Sequence, residues 1–110
     1  MLVTTTNELA GYRVVKHLGV VRGLTVRSRS IVGNVGAAIQ ILFGGTISVY
    51  TRLAEETRRE AFELLIRQAE AVGANAVLAM RYDANEIASA VTEVLAYGTA
   101  VVVEKIDRAE

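Results

Sequence analysis

The stretch EAVGANAVLAMRYDANE, Glu70–Glu86, holds the end of a helix, a glycine and the start of a strand. Gly73 stands where a helix ends in a left-handed residue, a conformation that glycine adopts without steric cost. Ala76–Asp83 then reads as a strand, and Arg81 and Asp83 share one of its faces because side chains alternate along a strand. These charged residues are candidates for an active site or for a contact that holds the structure together.

The residues before Gly73 predict one long helix, Ser48–Val72. Apolar residues recur there at a spacing of about 3.6 residues, and charged residues cover the other side. Upstream, the apolar segment Ile31–Phe43 predicts a short buried helix that stops at Gly44-Gly45. That segment is too short for a membrane span, which needs about 20 apolar residues.

Three strands complete the predicted α+β fold, with the helices lying between the first strand and the second. Tyr12–Arg27 is rich in β-branched residues, and its glycines favour a bulge. Its even-numbered positions are the more apolar and are expected to form the buried face. Ala76–Asp83 and Ser89–Glu104 form a predicted hairpin with its turn at Asp83–Glu86.

The last predicted strand is apolar on both faces. Its face with smaller side chains suits close packing under the helix, together with Leu78 and Met80 of the neighbouring strand. The opposite face would expose a large apolar patch on a monomer, so we predict a homo-oligomer in which another copy covers it. Arg81 and Asp83 would then order a subunit junction and do no chemistry. The predicted interface residues are Arg81, Asp83, Leu95, Tyr97, Val101 and Val103.

Length and composition narrow the class of protein. The 110 residues fit a single domain, residues 1–110. Basic and acidic residues number 12 each, and this balance with few aromatic residues argues against a nucleic-acid partner. The lack of cysteine excludes thiolate metal sites and cysteine nucleophiles. The N-terminus has no basic region leading into an apolar run, so we expect a cytoplasmic protein that is not associated with a membrane.

His17 is the only histidine and the one candidate metal ligand with a nitrogen donor. A single imidazole makes no metal site in a monomer, but a ring of copies would repeat it around an axis. An exposed strand histidine is the simpler interpretation. No nucleophile elbow, Walker or dinucleotide motif is present, so we expect a non-catalytic protein and identify no cofactor other than such a metal ion.

Two further charged groups have competing interpretations. Asp83, Glu86 and Glu93 could hold a hard cation, but a solvated hairpin end explains them more simply. Glu93 is also a candidate neighbour of Arg81 across the hairpin. The segment Arg27–Ser30 could bind phosphate, but a strand end or a subunit contact is the preferred interpretation.

The segment GGTISVYTRLAEETRREAFELLIRQAEAVGANAVLAMRYDANE, Gly44–Glu86, resembles the YbjQ-like family of small prokaryotic proteins. The resemblance continues through EVLAYGTAVVV, Glu93–Val103, and includes the opening strand, so it covers nearly the whole chain. It implies a two-layer, dodecin-subunit-like βαββ subunit with strand order 1-3-2. It also implies a ring-shaped homopentamer and brings with it a label of heavy-metal binding.

The resemblance and the apolar faces together lead to two expectations of function. The first is a non-catalytic homo-oligomer, a pentamer, that serves as a scaffold or binds a small ligand or ion at subunit junctions or on the ring axis. The alternative is a heavy-metal-binding or metal-dependent protein. Its ligands would be His17 and carboxylates from several copies.

Overall fold

One long helix packs on one face of a β-sheet. The computed structural model describes residues 1–28 and 46–107. The predicted short helix, residues 31–43, lies outside the described residues. The described elements, in chain order, are β1 (Leu2–Val3), β2 (Tyr12–Ser28), α1 (Thr46–Ala71), β3 (Ala76–Ala88) and β4 (Val91–Lys105).

The four described strands form one sheet in the order β1-β3-β4-β2. β1 runs parallel to β3, whereas β4 is antiparallel to both β3 and β2. The prediction of a three-stranded sheet is therefore corrected, because Leu2–Val3 adds a strand beside β3. A strand of 2 residues is too short to leave an alternating pattern in the sequence. In the described part of the chain, no helix is both long and apolar enough to cross a membrane.

Gly73 ends α1 as predicted. Its φ is 87°, in the left-handed region. Its N–H donates to the Glu70 carbonyl at 3.0 Å, and the Ala74 N–H donates to the Ala69 carbonyl at 3.0 Å. This pair of bonds is a Schellman motif, which satisfies carbonyl groups that a helix end leaves without partners.

Asn75 joins the end of the helix to the sheet. Its Nδ2 donates to the Val103 carbonyl and its Oδ1 accepts from the Val103 N–H, both at 2.8 Å. Its own N–H donates to the Val101 carbonyl at 3.1 Å. The side-chain amide therefore stands in for a peptide unit of the ladder and fixes where β3 begins beside β4.

Small side chains form the contact between α1 and the sheet. Ala61, Leu65 and Ala69 of the helix are fully buried in one cluster with Ala96 and Ala100 of β4. This confirms that the face of the last strand with smaller side chains lies under the helix. The apolar surface that these residues remove from water contributes to stability at about 25 cal/mol per Å².

Gly23 of β2 lies where the helix comes nearest to the sheet. A Cβ atom at this position would overlap the Ala61 carbonyl oxygen and lie 2.9 Å from Leu64 Cβ. Glycine therefore allows the helix backbone to reach β2. Val21 and Thr25, two positions to either side, are buried on the same face.

The prediction that the even-numbered positions of β2 form the buried face is wrong in the second half of this strand. Val20, Leu24 and Val26 are exposed there, on the face away from the helix. Their apolar character suggested burial, but the close approach of α1 requires Gly23, and with it the odd-numbered positions, on the helix side.

A β-bulge in β3 changes which side chains face the helix. The register against β4 shifts by one residue between Leu78 and Arg81, and Ala79 has a φ of 54°. Met80 packs in the helix-side cluster, as predicted. Leu78 packs on the opposite face and contradicts the prediction, because a bulge interrupts the alternation of side chains.

The turn between β3 and β4 lies further along the chain than predicted. Asp83 and Glu86, which bound the predicted turn, both pair with residues of β4. The chain reverses at Ser89-Ala90, where Ala90 has a φ of 61° and its N–H donates to Glu86 Oε1 at 3.2 Å. Polar residues suggested a turn, but an exposed antiparallel strand also carries them.

The N-terminal segment covers one end of the sheet face opposite the helix. Val101 and Val103, predicted to contact another copy, are buried here within the chain, at 0% and 5% exposure. The side chains that cover them come from the segment before β2 and from the start of β2, a contact that the strand pattern did not predict. The cluster consists of Ala76, Leu78, Val101 and Val103, with Leu9, Tyr12 and Val14 packed against it.

We expect Gly23→Ala to lower the free energy of unfolding by about 1–3 kcal/mol, because the added methyl group must push α1 away from β2. Urea denaturation followed by circular dichroism measures the change. Lys16→Ala, an exposed position on the same strand, is the control and should stay within about 0.5 kcal/mol. Equal denaturation midpoints for Gly23→Ala and the unmodified protein would show that the helix does not need this close approach.

Candidate functional site

Arg81 fastens the N-terminal strap, residues 4–11, to the sheet. Its Nη1 donates to the Thr5 carbonyl at 2.7 Å and to the Met80 carbonyl at 2.9 Å. A charged donor strengthens such bonds relative to a neutral one. The guanidinium group therefore links two segments of the same chain that are far apart in sequence.

The bulge in β3 provides further bonds to the strap. The Ala79 N–H donates to the Thr6 carbonyl and the Met80 N–H to the Thr4 carbonyl, both at 2.9 Å. The Thr4 N–H in turn donates to the Val77 carbonyl at 3.0 Å. The strap thus continues the pairing of β1 along the edge of β3 and lies across the bulge.

The structure does not bring Arg81 to the carboxylates that the sequence placed near it. Arg81 pairs across from Tyr97, whereas Glu93 pairs across from Asn85, further towards the turn. Asp83 Oδ2 accepts from Asn85 Nδ2 at 3.2 Å. No ion pair between described residues includes Arg81 or Asp83.

His17 lies exposed on β2, across from Val101. Among the described residues, no group of three or more histidine, aspartate or glutamate side chains could hold a metal ion. Asp83, Glu86 and Glu93 are spread along the hairpin, and Glu86 bonds to the turn. The described residues of one chain therefore do not fit a metal site, which typically needs about four ligands.

The sheet face beyond the strap carries several exposed apolar side chains that no described residues cover. Partners across an antiparallel pair share a face, so Leu24 lies beside Leu95, and Tyr97 lies beside Arg22. Val20 is 77% exposed, Leu24 45% and Tyr97 37%. We call this surface the open sheet face, made of Val20, Leu24, Val26, Leu95 and Tyr97.

Charged residues of both signs lie among and beside the apolar side chains of the open sheet face. Arg22 lies between Val20 and Leu24 on β2, and Glu93 lies across from Val26. Arg22 and Arg81 flank Tyr97 in one cross-strand row, and Asp83 flanks Leu95 in the next. Four of the predicted interface residues therefore lie on or directly beside this surface: Leu95 and Tyr97 belong to it, and Arg81 and Asp83 are their neighbours on β3. The two that do not are Val101 and Val103, which the strap region buries.

Among the described residues, β2 pairs only with β4 and so forms an edge of the sheet beside this face. Its register shifts between Val14 and Lys16 and again between His17 and Gly19, and the φ of Gly19 is 94°. The predicted bulge at a glycine is thus confirmed. Residues 20–28 are regular, and a regular edge offers N–H and C=O groups to which another strand can pair. Two of these groups are bonded within the chain, since the Arg22 N–H donates to Gln68 Oε1 at 2.5 Å and the Val26 carbonyl accepts from Arg27.

Arg27 is engaged with the helix. It forms an ion pair with Glu60 of α1, and its Nη1 donates to the Val26 carbonyl at 3.1 Å. Arg29 and Ser30, which completed the candidate phosphate-binding segment, lie outside the described residues. The charge of Arg27 is therefore balanced within the chain.

Sequence reasoning missed the strap and the contact between Arg58 and Tyr82. Arg58 Cζ lies 5.8 Å from the centre of the Tyr82 ring, within the range of a cation–π contact. The run Thr4-Thr5-Thr6 was a signal for the strap, because β-branched residues favour extended chain. The Arg58–Tyr82 contact left no local signal, since it depends on the bulge.

Replacing Arg81 with alanine removes the donor to the Thr5 carbonyl, so we expect the strap to detach from β3 more often. The expected cost is about 1 kcal/mol, because the bond is charged but exposed. Hydrogen exchange is the measurement, and the Ala79 and Met80 amides, which donate to the strap, should exchange faster. Arg67→Ala on the exposed side of α1 is the control; equal exchange of these amides in both variants would contradict the fastening role.

The sequence matches the family model YbjQ_1, described as "Putative heavy-metal-binding", over residues 1–104. A "UPF0145 protein" of Burkholderia thailandensis is 61% identical over 100 residues, which cover 91% of this chain and 90% of the relative. Proteins of the same designation in Burkholderia mallei and Burkholderia pseudomallei are 60% identical over 100 residues, again 91% of this chain and 90% of each relative.

A solved structure supports the fold. It is a protein of unknown function of the DUF74 family from Pediococcus pentosaceus, with a TM-score of 0.57 and 18% sequence identity over 94% of this chain and 98% of that chain. At this identity the likeness concerns the α+β fold alone. The match to the family model over residues 1–104 and the relatives at 60% identity and above establish membership. The protein belongs to the YbjQ_1 family, described as "Putative heavy-metal-binding", and its relatives in Burkholderia carry the designation UPF0145.

Proposed function

We propose that the protein works as a non-catalytic homo-oligomer, a pentameric ring, in which copies bury the open sheet face against one another. The ring would serve as a scaffold or bind a small ligand or ion at subunit junctions or on its axis. The observation that carries the proposal is the exposed apolar surface on the sheet face that α1 does not cover.

The composition of the open sheet face suits a contact between copies. Neighbouring apolar side chains that stay exposed together are typical of interaction surfaces. The same face carries both Arg22 and Asp83, so one copy can present a positive group where the next presents a negative one. A chain with equal numbers of basic and acidic residues has no net repulsion from its own copies.

The edge of β2 supports the same contact from a second direction. Residues 20–28 form a regular edge directly beside the open sheet face. A strand from another copy that paired there would replace the bond from the Arg22 N–H to Gln68, satisfy the remaining exposed backbone groups and lie beside Val20, Leu24 and Val26. The bulges in the first half of β2 make that half a poor partner for another strand.

We expect Leu24→Glu to convert the oligomer into monomers, because the variant would bury a carboxylate in the contact. Leu24 is 45% exposed in the single chain, so the monomer should keep its helix content. Native mass spectrometry and light scattering at micromolar concentration measure the number of copies. We expect five for the unmodified protein.

Val72→Glu is a matched control, since Val72 is 44% exposed but lies beyond the end of α1, away from the sheet face. It should leave the number of copies unchanged. A stable monomer of the unmodified protein would contradict the proposal, as would an oligomer that survives Leu24→Glu.

The family description favours a second candidate function, the binding of a heavy metal. Described residues of one chain do not gather a ligand set, so the ligands would be His17 of several copies with carboxylates beside it. Such a site would exist only in the assembled ring. It would lie where the exposed imidazoles of neighbouring copies come together.

Elemental analysis of protein purified without a histidine tag tests the metal hypothesis. A site shared around a ring predicts fewer metal ions than chains, and His17→Ala should remove the metal and leave the number of copies unchanged. His17 is exposed, so the variant should fold. A metal-free protein that also fails to take up added zinc or copper would rule this function out.

A further inference from the structure

α1 and the outer half of the β3–β4 hairpin border an open cleft on the helix side of the sheet. The helix reaches β2 closely at Gly23 and packs on Ala96 and Ala100 of β4. Towards β3 it leaves a hollow of about 280 Å³. This is near the lower end of the range of small-molecule sites, about 300–1,000 Å³.

The surfaces of the cleft are mainly apolar. Leu53 and Ala54 of the helix form one wall, and Ala84 and Val94 of the hairpin form the floor. Thr57 also lines the cleft, but its hydroxyl donates to the Leu53 carbonyl at 2.8 Å. The middle of the cleft therefore suits the apolar part of a ligand.

Two arginine side chains bring positive charge to the cleft, and only one of them is in an ion pair. Arg27 lines it and is paired with Glu60. Arg58 lines it too, and no described carboxylate lies within ion-pair distance of Arg58. The guanidinium of Arg58 is instead held over the ring of Tyr82 at 5.8 Å.

Arg58 also connects the cleft to a second hollow. This hollow of about 320 Å³ is bordered by Phe62 and Tyr82, with Glu55 and Arg59 of opposite charge beside them. Arg59 is paired with Glu56 at 3.8 Å. Arg58 lines both this partly aromatic hollow and the apolar cleft without an ion pair to any described carboxylate. The cation–π contact with Tyr82 limits the freedom of its guanidinium, which lowers the entropic cost of binding an anion.

We propose that this cleft binds a small organic anion with an apolar body, whose acidic group is held by Arg58. The planar guanidinium matches a carboxylate, phosphate or sulfonate through two parallel hydrogen bonds. The apolar body would lie against Leu53, Ala84 and Val94. All of these residues come from one chain, so the site does not depend on the proposed oligomer.

The test uses 8-anilinonaphthalene-1-sulfonate, an aromatic sulfonate whose fluorescence rises in an apolar site. Titrated into the full chain, it should bind at one saturable site per chain. Arg58→Gln should weaken binding roughly tenfold, as expected for loss of one charged hydrogen bond of about 1.4 kcal/mol. Arg58→Lys should lie in between, because it keeps the charge and loses the fork.

Further variants separate this site from the open sheet face, where an apolar dye could also bind. Ala84→Leu should block the cleft, and Ala84 is exposed, so the change should not unfold the chain. Arg67→Gln makes the same change of charge on the exposed side of α1 and should leave the affinity unchanged. N-phenyl-1-naphthylamine, the uncharged analogue, should show no difference between Arg58→Gln and the unmodified protein.

Two results would overturn the proposal. One is an affinity that Leu24→Glu lowers and Arg58→Gln does not, which would place the dye on the open sheet face. The other is the absence of saturable binding. Light scattering on the same samples reports the number of copies, so a failure of this site and a failure of the oligomer give different readings.

Discussion

The contact of α1 with β2 at Gly23 is the constraint on which the rest of the structure depends. Because the helix backbone lies so close, its face of the sheet must carry small residues, as Ala96 and Ala100 do. The larger apolar side chains of β2, such as Leu24, then have only the other face. The packing that completes the core on one side thus creates the exposed apolar surface on the other.

Features set by a single residue or a local period could be predicted from the sequence. The long helix follows from its apolar stripe, and Gly73 marks its end because few other residues take the left-handed conformation. The small face of β4 was also predicted correctly. The buried face of β2 was not, because its pattern depends on how near the helix comes, which is a property of the assembled chain.

The candidate site shows the same division between local and long-range information. The alternation of side chains along a strand predicted that Arg81 and Asp83 share a face, and they do lie beside the open sheet face. The partner of Arg81 was not predictable, because Thr5 reaches it only through the strap. The burial of Val101 and Val103 was not predictable for the same reason. The alternation of side chains along a strand does not indicate that a distant segment covers one end of the sheet.

Because of the bulge at Ala79, the number of residues in β3 decides which side chains face the helix, independently of which residues they are. The extra residue reverses the order of faces, so Tyr82 meets Arg58 on the helix side while Arg81 meets the strap on the other. A chain one residue shorter between Asn75 and Tyr82 would exchange these faces without any substitution. Among relatives, an insertion or deletion in this short interval would therefore change the side chains on both faces of the sheet at once. Many substitutions would change only one face.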